Sequence, residues 1–212
     1  MRFGSANVIR GAFKAPFYGN FFKLAFDSNI VDSKARTWAG TAPTYNTSIK
    51  MVGSASAFFS YTSTSIYMDD EPLRLNDFSI EMWYYPTTAN QTNILFENIT
   101  SQSDTTNFYI SKIASNNALG VSTLGSGGSI FLVNNAFPQL NTWYHIKVAR
   151  ENGTWTLYLN DAVVDTSNKV VDSTATRYYV GAKGVRVAAA QYGLNGYIDD
   201  FKMVIRKSSY PG

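Results

Sequence analysis

Histidine is the residue of this sequence with the widest catalytic use, because its charge changes near neutral pH. His145 is the only histidine, and the chain contains no cysteine. A zinc site or a Ser-His-Asp triad therefore lacks either its ligands or its geometry. The residues around His145 alternate between apolar and polar, and this alternation puts His145 on the polar face of a strand. We expect a structural or surface role for it.

Aromatic side chains form a second group of candidates, because an aromatic ring can stack on a sugar. Trp38, Tyr45 and Tyr61 lie in regions rich in loop residues, and we predict that they could stack on a glycan. Aromatic residues make up 15% of the chain, so packing in or beside the core is the alternative for all three.

The first 20 residues are basic and aromatic and have neither helical nor strand periodicity. Gly4, Gly11, Pro16 and Gly19 break any register that would align the aromatic residues. We predict an extended N-terminal arm that docks on a partner protein, with a frayed tail as the alternative. Its positive charges are too sparse to indicate binding to nucleic acid. The predicted docking residues are Arg2, Phe3, Arg10, Phe13, Lys14, Phe17 and Tyr18.

Residues 141–161 predict the hairpin on which the rest of the fold depends. Two runs of alternating apolar and polar residues flank Asn152 and Gly153, a pair that tolerates the positive φ angles of a two-residue hairpin turn. A second turn is predicted at Asn160 and Asp161. We expect Trp83, from an earlier strand, to share the core with the apolar face of this hairpin. The residues of that face are Tyr144, Ile146, Val148, Trp155, Leu157 and Leu159.

Three segments in the same order carry a resemblance to a known family. Residues 143–161 resemble the central hairpin of the laminin-G-like, concanavalin A-like jelly rolls. Residues 78–83 resemble a strand of that family with the pattern F-T-I-E-x-W, and residues 194–201 resemble its closing strand. The resemblance extends from about residue 21 to residue 210. It implies an all-β fold, a two-sheet antiparallel β-sandwich of the concanavalin A-like jelly-roll type.

The resemblance leaves function open, because this fold serves lectins, glucanases, adhesion modules and phage structural proteins. Glucanases with this fold carry catalytic carboxylates as Glu-x-Asp-x-x-Glu on one strand. The chain has four glutamates, none of them in that spacing, so we predict that it is not an enzyme. These glutamates are Glu71, Glu81, Glu97 and Glu151.

Some laminin-G-like domains bind calcium through carboxylate and carbonyl oxygens. Strand alternation predicts that Asp199 shares a face with Phe201 and Met203, and a carboxylate on an apolar face needs a partner. It could accept hydrogen bonds from backbone N–H groups, or it could bind calcium with Asp27, Asp32 or the Asp69-Asp70-Glu71 turn. None of these carboxylates belongs to a recognisable calcium loop, so we predict no metal and no cofactor.

The sequence therefore predicts two units, a docking arm at residues 1–20 and one β-sandwich domain at residues 21–212. The N-terminus does not have the pattern of a signal peptide, and no stretch is long and apolar enough to cross a membrane. A short laminin-G-like chain without cysteine or a signal peptide, ending in a segment such as residues 196–212, resembles virion proteins of tailed phages.

From this resemblance we expect a non-enzymatic protein of the phage virion surface, assembled in the host cytoplasm. We expect a capsid decoration or cement protein whose partners are virion proteins and further copies of itself. The alternative is a carbohydrate-binding adhesion module of a tail fibre that binds glycans of the host surface.

Overall fold

A computed structural model describes residues 19–30, 32–61, 64–100, 108–123, 128–181 and 193–206. The predicted docking residues of the arm, Arg2 to Tyr18, lie outside these residues. In the described ranges the chain forms fifteen strands, and a single 3₁₀ turn at Ser115–Asn117 joins the eighth strand to the ninth. No helix in these ranges has the length and hydrophobicity that a membrane crossing requires.

The strands are β1 (Gly19–Leu24), β2 (Ala39–Thr41), β3 (Thr44–Asn46), β4 (Ser56–Phe59), β5 (Ser65–Asp69), β6 (Asp77–Pro86), β7 (Asn93–Asn98), β8 (Phe108–Ile113), β9 (Ala118–Thr123), β10 (Ser129–Val133), β11 (Tyr144–Glu151), β12 (Thr154–Leu159), β13 (Ala162–Ser167), β14 (Arg177–Val180) and β15 (Gly196–Arg206).

The strands form two antiparallel sheets. The front sheet has the order β13-β12-β11-β6-β15-β4-β3. Strand β4 pairs with residues 196–198 of β15, and β1 pairs with residues 201–206 of the same strand. The back sheet has the order β10-β9-β8-β7-β14-β5-β2. The predicted all-β, two-sheet antiparallel sandwich is confirmed.

The core lies between the two sheets, where aromatic rings from one sheet meet rings from the other. Phe78 and Trp155 of the front sheet contact Phe108 of the back sheet, with ring centroids 5.5 Å and 5.4 Å apart. Phe201 of the front sheet stacks on Phe96 of the back sheet at 6.1 Å. Burying rings of this size removes a large apolar area from water, which is the main force that holds the sheets together.

The hairpin predicted at residues 141–161 is confirmed. Glu151 pairs with Thr154, so the turn consists of Asn152 and Gly153 alone, with φ angles of 49° and 82°. The turn at Asn160 and Asp161 is also present, and both of its residues have positive φ. These angles are those of a type I′ turn, whose twist matches that of the strands it joins.

The structure corrects the prediction for Trp83. Strand β6 alternates strictly, and its buried residues are Phe78, Ile80, Met82, Tyr84 and Pro86. Trp83 therefore points away from the core, to the outer face of the front sheet, where it is partly exposed. The prediction placed it in the core, although its position in the alternation of β6 puts it on the outer face.

The structure also corrects the face of Asp199. In the pairing of β15 with β6, Asp199 lies opposite Trp83 and Lys202 lies opposite Glu81, so β15 has one extra residue between these pairs. This β-bulge includes Asp200, which has a φ angle of 49°. Because the bulge shifts the alternation, Phe201 points into the core and Asp199 does not share its face.

Two further strands were missed. Strands β2 and β3 lie in the stretch that the sequence predicts to be a loop, and both are only three residues long.

Residues 50–55 were predicted to be part of strand β4. In the structure they form a loop, and β4 begins at Ser56. Asp199 holds this loop, because its Oδ2 accepts hydrogen bonds from the backbone N–H groups of Met51 and Val52 at 2.8 Å each. Asp199 thus has the backbone-capping role that was one of the two alternatives for it.

Candidate binding face of the front sheet

The outer face of the front sheet carries a row of four aromatic rings. Trp143, Tyr85, Tyr197 and Phe58 come from or directly precede four neighbouring strands, β11, β6, β15 and β4. Their ring centroids are 5.1 Å, 5.6 Å and 4.9 Å apart in that order. We call these four residues the aromatic row. It runs across the strands for about 14 Å, because neighbouring strands lie about 4.8 Å apart.

Strand pairing fixes the positions of these rings. Tyr197 is paired with Tyr85 on one side and with Phe58 on the other, and paired residues of antiparallel strands point to the same face. All four rings are partly exposed. The amide group of Asn46 donates a hydrogen bond to the hydroxyl oxygen of Tyr197 at 3.4 Å and helps to hold that ring in place. The row is therefore an ordered, accessible aromatic surface.

Trp83 and His145 form a second aromatic pair beside the row. Their rings are stacked, with centroids 4.7 Å apart and an interplanar angle of 25°. Trp83 is two residues from Tyr85 on β6, so its side chain is on the same face as the row. The stack extends the exposed aromatic surface of this face towards the charged residues described next.

A chain of alternating charges crosses the same face. His145 Nδ1 lies 2.7 Å from Asp161 Oδ1, and its Nε2 lies 3.2 Å from Glu81 Oε1. Lys202 Nζ lies 3.4 Å from Glu81 Oε1 and 2.6 Å from Asp200 Oδ2. Lys23 Nζ completes the chain, 2.6 Å from Asp200 Oδ1. We call this set the charge ladder.

The pKa values of the ladder follow from its geometry. The hydrogen bond from His145 is the main cause that lowers the pKa of Glu81 to about 2, and the charge of Lys202 acts in the same direction against the effect of burial. The hydrogen bond to Glu81 is in turn the main cause that raises the pKa of His145, with Asp161 adding to it. The ladder thus favours a protonated imidazole and an ionised carboxylate.

The residues predicted from the sequence to stack on a glycan lie elsewhere. Trp38 packs against the core, with its ring 6.1 Å from that of Phe22, and its Nε1 donates a hydrogen bond to Asp32 at 3.4 Å. Tyr45 also packs against the core, and burial raises its pKa. Tyr61 is partly exposed and follows β4. In the described part of the chain, no ring contact joins any two of the three, so their stacking role stays a prediction.

Sequence reasoning missed the aromatic row, although the signal was present. The alternation that puts Ile80 and Met82 in the core also puts Trp83 and Tyr85 on the opposite face. Trp143 has the same parity as His145, which was correctly assigned to the polar face of its strand. What the sequence did not reveal is that β15 and β4 lie beside β6, since strand order depends on long-range pairing.

The carboxylates considered as calcium ligands have protein partners. Asp27 accepts a hydrogen bond from the Ser54 hydroxyl at 3.0 Å, and Asp69 is held by Arg177 through two hydrogen bonds of 2.6 Å and 2.9 Å. Among the described residues, no three histidine, aspartate or glutamate side chains are arranged to hold a metal ion.

Comparison with known proteins agrees with this fold. A family model described as the concanavalin A-like lectin/glucanases superfamily, of laminin G type, matches residues 60–209. The chain belongs to this superfamily. No curated protein matches it.

Solved structures with this fold include domains of several origins. Domain 4 of AbnA, an extracellular GH43 arabinanase from Geobacillus stearothermophilus determined with arabinotriose, has a TM-score of 0.65 at 15% identity, covering 90% of this chain and 95% of that one. The binding domain of botulinum neurotoxin serotype D has a TM-score of 0.62 at 11% identity, covering 89% of this chain and 48% of that one. Domains LG4-5 of the mouse laminin α1 chain have a TM-score of 0.54 at 14% identity, covering 74% of this chain and 44% of that one.

This superfamily member therefore resembles these three structures in fold. Identities of this size establish the fold alone, and they do not carry a ligand from one protein to another.

Proposed function

We propose that this protein is a non-enzymatic binding module that holds an oligosaccharide on the outer face of the front sheet. The observation that carries this proposal is the aromatic row, in which four partly exposed rings are in contact across four neighbouring strands. The C–H groups of a sugar ring carry small positive charges and pack on the negative face of an aromatic ring. A row about 14 Å long suits an extended ligand better than a single sugar.

The charge ladder supplies polar groups beside the row. Sugar hydroxyl groups need donors and acceptors that fix their orientation, and binding sites combine a few such groups with a larger apolar surface. His145 stacks on Trp83, its Nε2 lies 3.2 Å from Glu81 Oε1, and the same carboxylate oxygen lies 3.4 Å from Lys202 Nζ. Domain 4 of the arabinanase was determined with arabinotriose, and this is consistent with a glycan ligand for the same fold.

A glycan array tests the proposal directly. We expect the full-length protein to bind a subset of the glycans, and Tyr85→Ala and Trp143→Ala each to reduce that binding about 10- to 100-fold, as expected for a central aromatic contact. Tyr67→Ala is the matched control, because Tyr67 is partly exposed on the outer face of the back sheet. The proposal is wrong if no glycan binds, or if Tyr85→Ala binds as well as the control variant.

The location on a phage virion, the docking arm and the self-association also remain proposals, and they are supported by the resemblance of the sequence. Strand β1 begins at Gly19, so deleting residues 1–18 leaves every described strand intact. We expect the truncated sandwich to keep its melting temperature and to lose its incorporation into virus particles, because the arm would carry the docking contacts. A truncated protein that unfolds, or that still decorates particles, would contradict the docking role.

A further inference from the structure

A cleft of about 520 Å³ lies at one end of the sandwich, away from the aromatic row. Its walls are the turn between β11 and β12, the segment that precedes β6 and the segment that follows β13. The volume is within the range of sites that hold small ligands, about 300–1,000 Å³. The cleft has no role in the function proposed above.

Arg150 is the unusual residue of this cleft. It is the last inward-facing residue of β11, paired with Phe78 and Trp155, and only 5% of its surface is exposed. Its Nη1 donates hydrogen bonds to the backbone oxygens of Leu75 and Asn76, the second at 3.0 Å. Its buried Nε has no hydrogen-bond partner among the residues that the structure describes.

The charge of Arg150 is only partly compensated. Among the described residues, no carboxylate oxygen lies within 4.0 Å of its guanidinium nitrogens, although Asp77 and Asp172 act on it from further away. Burial lowers its pKa, which shows that its charged form is stabilised less than in water. A buried cation without a direct partner is costly, and an unpaired buried N–H group calls for a ligand or a water molecule.

The guanidinium edge with the unpartnered Nε has the shape that pairs with a carboxylate, although Nε itself is buried. Nε and Nη2 share one edge, and the same two atoms of Arg177 hold the carboxylate of Asp69 at 2.6 Å and 2.9 Å. Gly153 leaves space beside this edge, since a Cβ atom there would lie 3.9 Å from Arg150 Nη2.

Besides Arg150 and the ion pair of Arg74 and Asp172, at 3.2 Å, the cleft is lined by neutral residues that suit a sugar ring. Asn152, Thr154 and Asn168 offer amide and hydroxyl groups, which are neutral partners for sugar hydroxyls. Leu75 and Val170 are 37% and 77% exposed and offer an apolar surface for the C–H face of a ring. Simple inorganic anions would use the arginine but not these groups.

We propose that this cleft binds a sugar that carries a carboxylate, with the carboxylate on Arg150. The site is separate from the aromatic row, so one can exist without the other.

The test measures binding to the full-length protein by isothermal titration calorimetry and by amide chemical shifts. The acidic probes are glucuronate, galacturonate and N-acetylneuraminate, and the other probes are glucose, galactose and sulfate. Val170→Asp puts a negative charge at the mouth of the cleft. Because Val170 is 77% exposed, we expect the free energy of unfolding to change little. Val163→Asp is the control, since Val163 is 57% exposed on β13 and does not line the cleft.

We expect at least one acidic sugar to bind about tenfold more tightly than its neutral counterparts and than sulfate, and to shift the amides of residues 150–154. Val170→Asp should weaken that binding about fivefold at low salt, and Val163→Asp should leave it unchanged. Tyr85→Ala should not affect it, which distinguishes this site from the aromatic row. The proposal is wrong if none of the three acids binds at about 50 mM, if sulfate binds equally well, or if Val170→Asp has no effect.

Discussion

At the scale of single residues, His145 shows how one position can organise a surface. Both of its ring nitrogens lie within 3.2 Å of a carboxylate oxygen, and both can donate a hydrogen bond only when the ring is protonated. The protonated ring also stacks on Trp83, whose π-electrons attract a cation. His145 thus belongs to both the charge ladder and the exposed aromatic surface, and it lies on the polar face of its strand, as the sequence predicts.

We predict that His145 titrates above its ordinary pKa of 6.5 in the folded protein. Because its pKa is raised, His145 stabilises the fold fully below the unfolded value, and this contribution is lost as the pH rises through the folded pKa. His145→Gln should therefore remove part of the decline of the unfolding free energy on the alkaline side. As the only histidine, His145 can be followed by its own NMR signals. A measured pKa at or below 6.5 would contradict the geometry of the ladder.

Glu81 should have the opposite dependence on pH. Its pKa is lowered from 4.5 to about 2, chiefly by the hydrogen bond from His145, so its contribution is present above pH 4.5 and is lost as the pH falls towards 2. We expect Glu81→Gln to flatten the acid limb of the stability profile, as measured by urea unfolding between these two pH values. Glu151→Gln is a suitable control, because the Glu151 side chain is 53% exposed and lies outside the ladder. Equal acid limbs for the two variants would show that Glu81 is not held as described.

At the scale of elements, the bulge in β15 couples the front sheet to a loop. Without the extra residue, Asp199 would point with Phe201 into the core, as the simple alternation predicts. With it, Asp199 is fully buried beneath residues 51 and 52 and accepts both of their N–H groups. Burial is the main cause that raises the pKa of Asp199. The hydrogen bonds from Met51 and Val52 act in the opposite direction, because they stabilise its charged form.

We predict that Asp199→Ala destabilises the protein by about 1–3 kcal/mol, because it leaves two backbone donors without their acceptor. Hydrogen exchange at the Met51 and Val52 amides should become faster, while exchange in the β11–β12 hairpin should change little. Asp199→Asn retains an acceptor oxygen, and we expect a smaller effect from it. Unchanged exchange at Met51 and Val52 in the alanine variant would show that Asp199 does not hold the loop.

Elements with local signals were predictable from the sequence, and those that depend on distant pairing were not. The β11–β12 hairpin was found because Asn152 and Gly153 define its turn within a few residues. The bulge at Asp200 has no glycine or proline to mark it, so the alternation of β15 was continued past the point where it changes. Strands β2 and β3 are too short to show a period and exist because they pair with β5 and β4.

At the scale of the whole molecule, the sandwich separates its core from its candidate binding surfaces. The inner faces of the two sheets form one continuous core, and the outer face of the front sheet is left to carry the aromatic row and the charge ladder. The fold class was predictable because periodicity and family motifs agree on it. The row was not, because its four rings come together only through the order β11-β6-β15-β4.

The four tryptophans offer the most direct test of the proposed binding face. Trp83 and Trp143 lie on that face, Trp155 is buried in the core, and Trp38 packs at the edge of the back sheet. We predict that a glycan selected from the array shifts the indole N–H signals of Trp83 and Trp143 in a titration followed by NMR, and leaves those of Trp155 and Trp38 in place. Shifts at Trp38 alone, with Trp83 and Trp143 unchanged, would contradict a binding site on the front sheet.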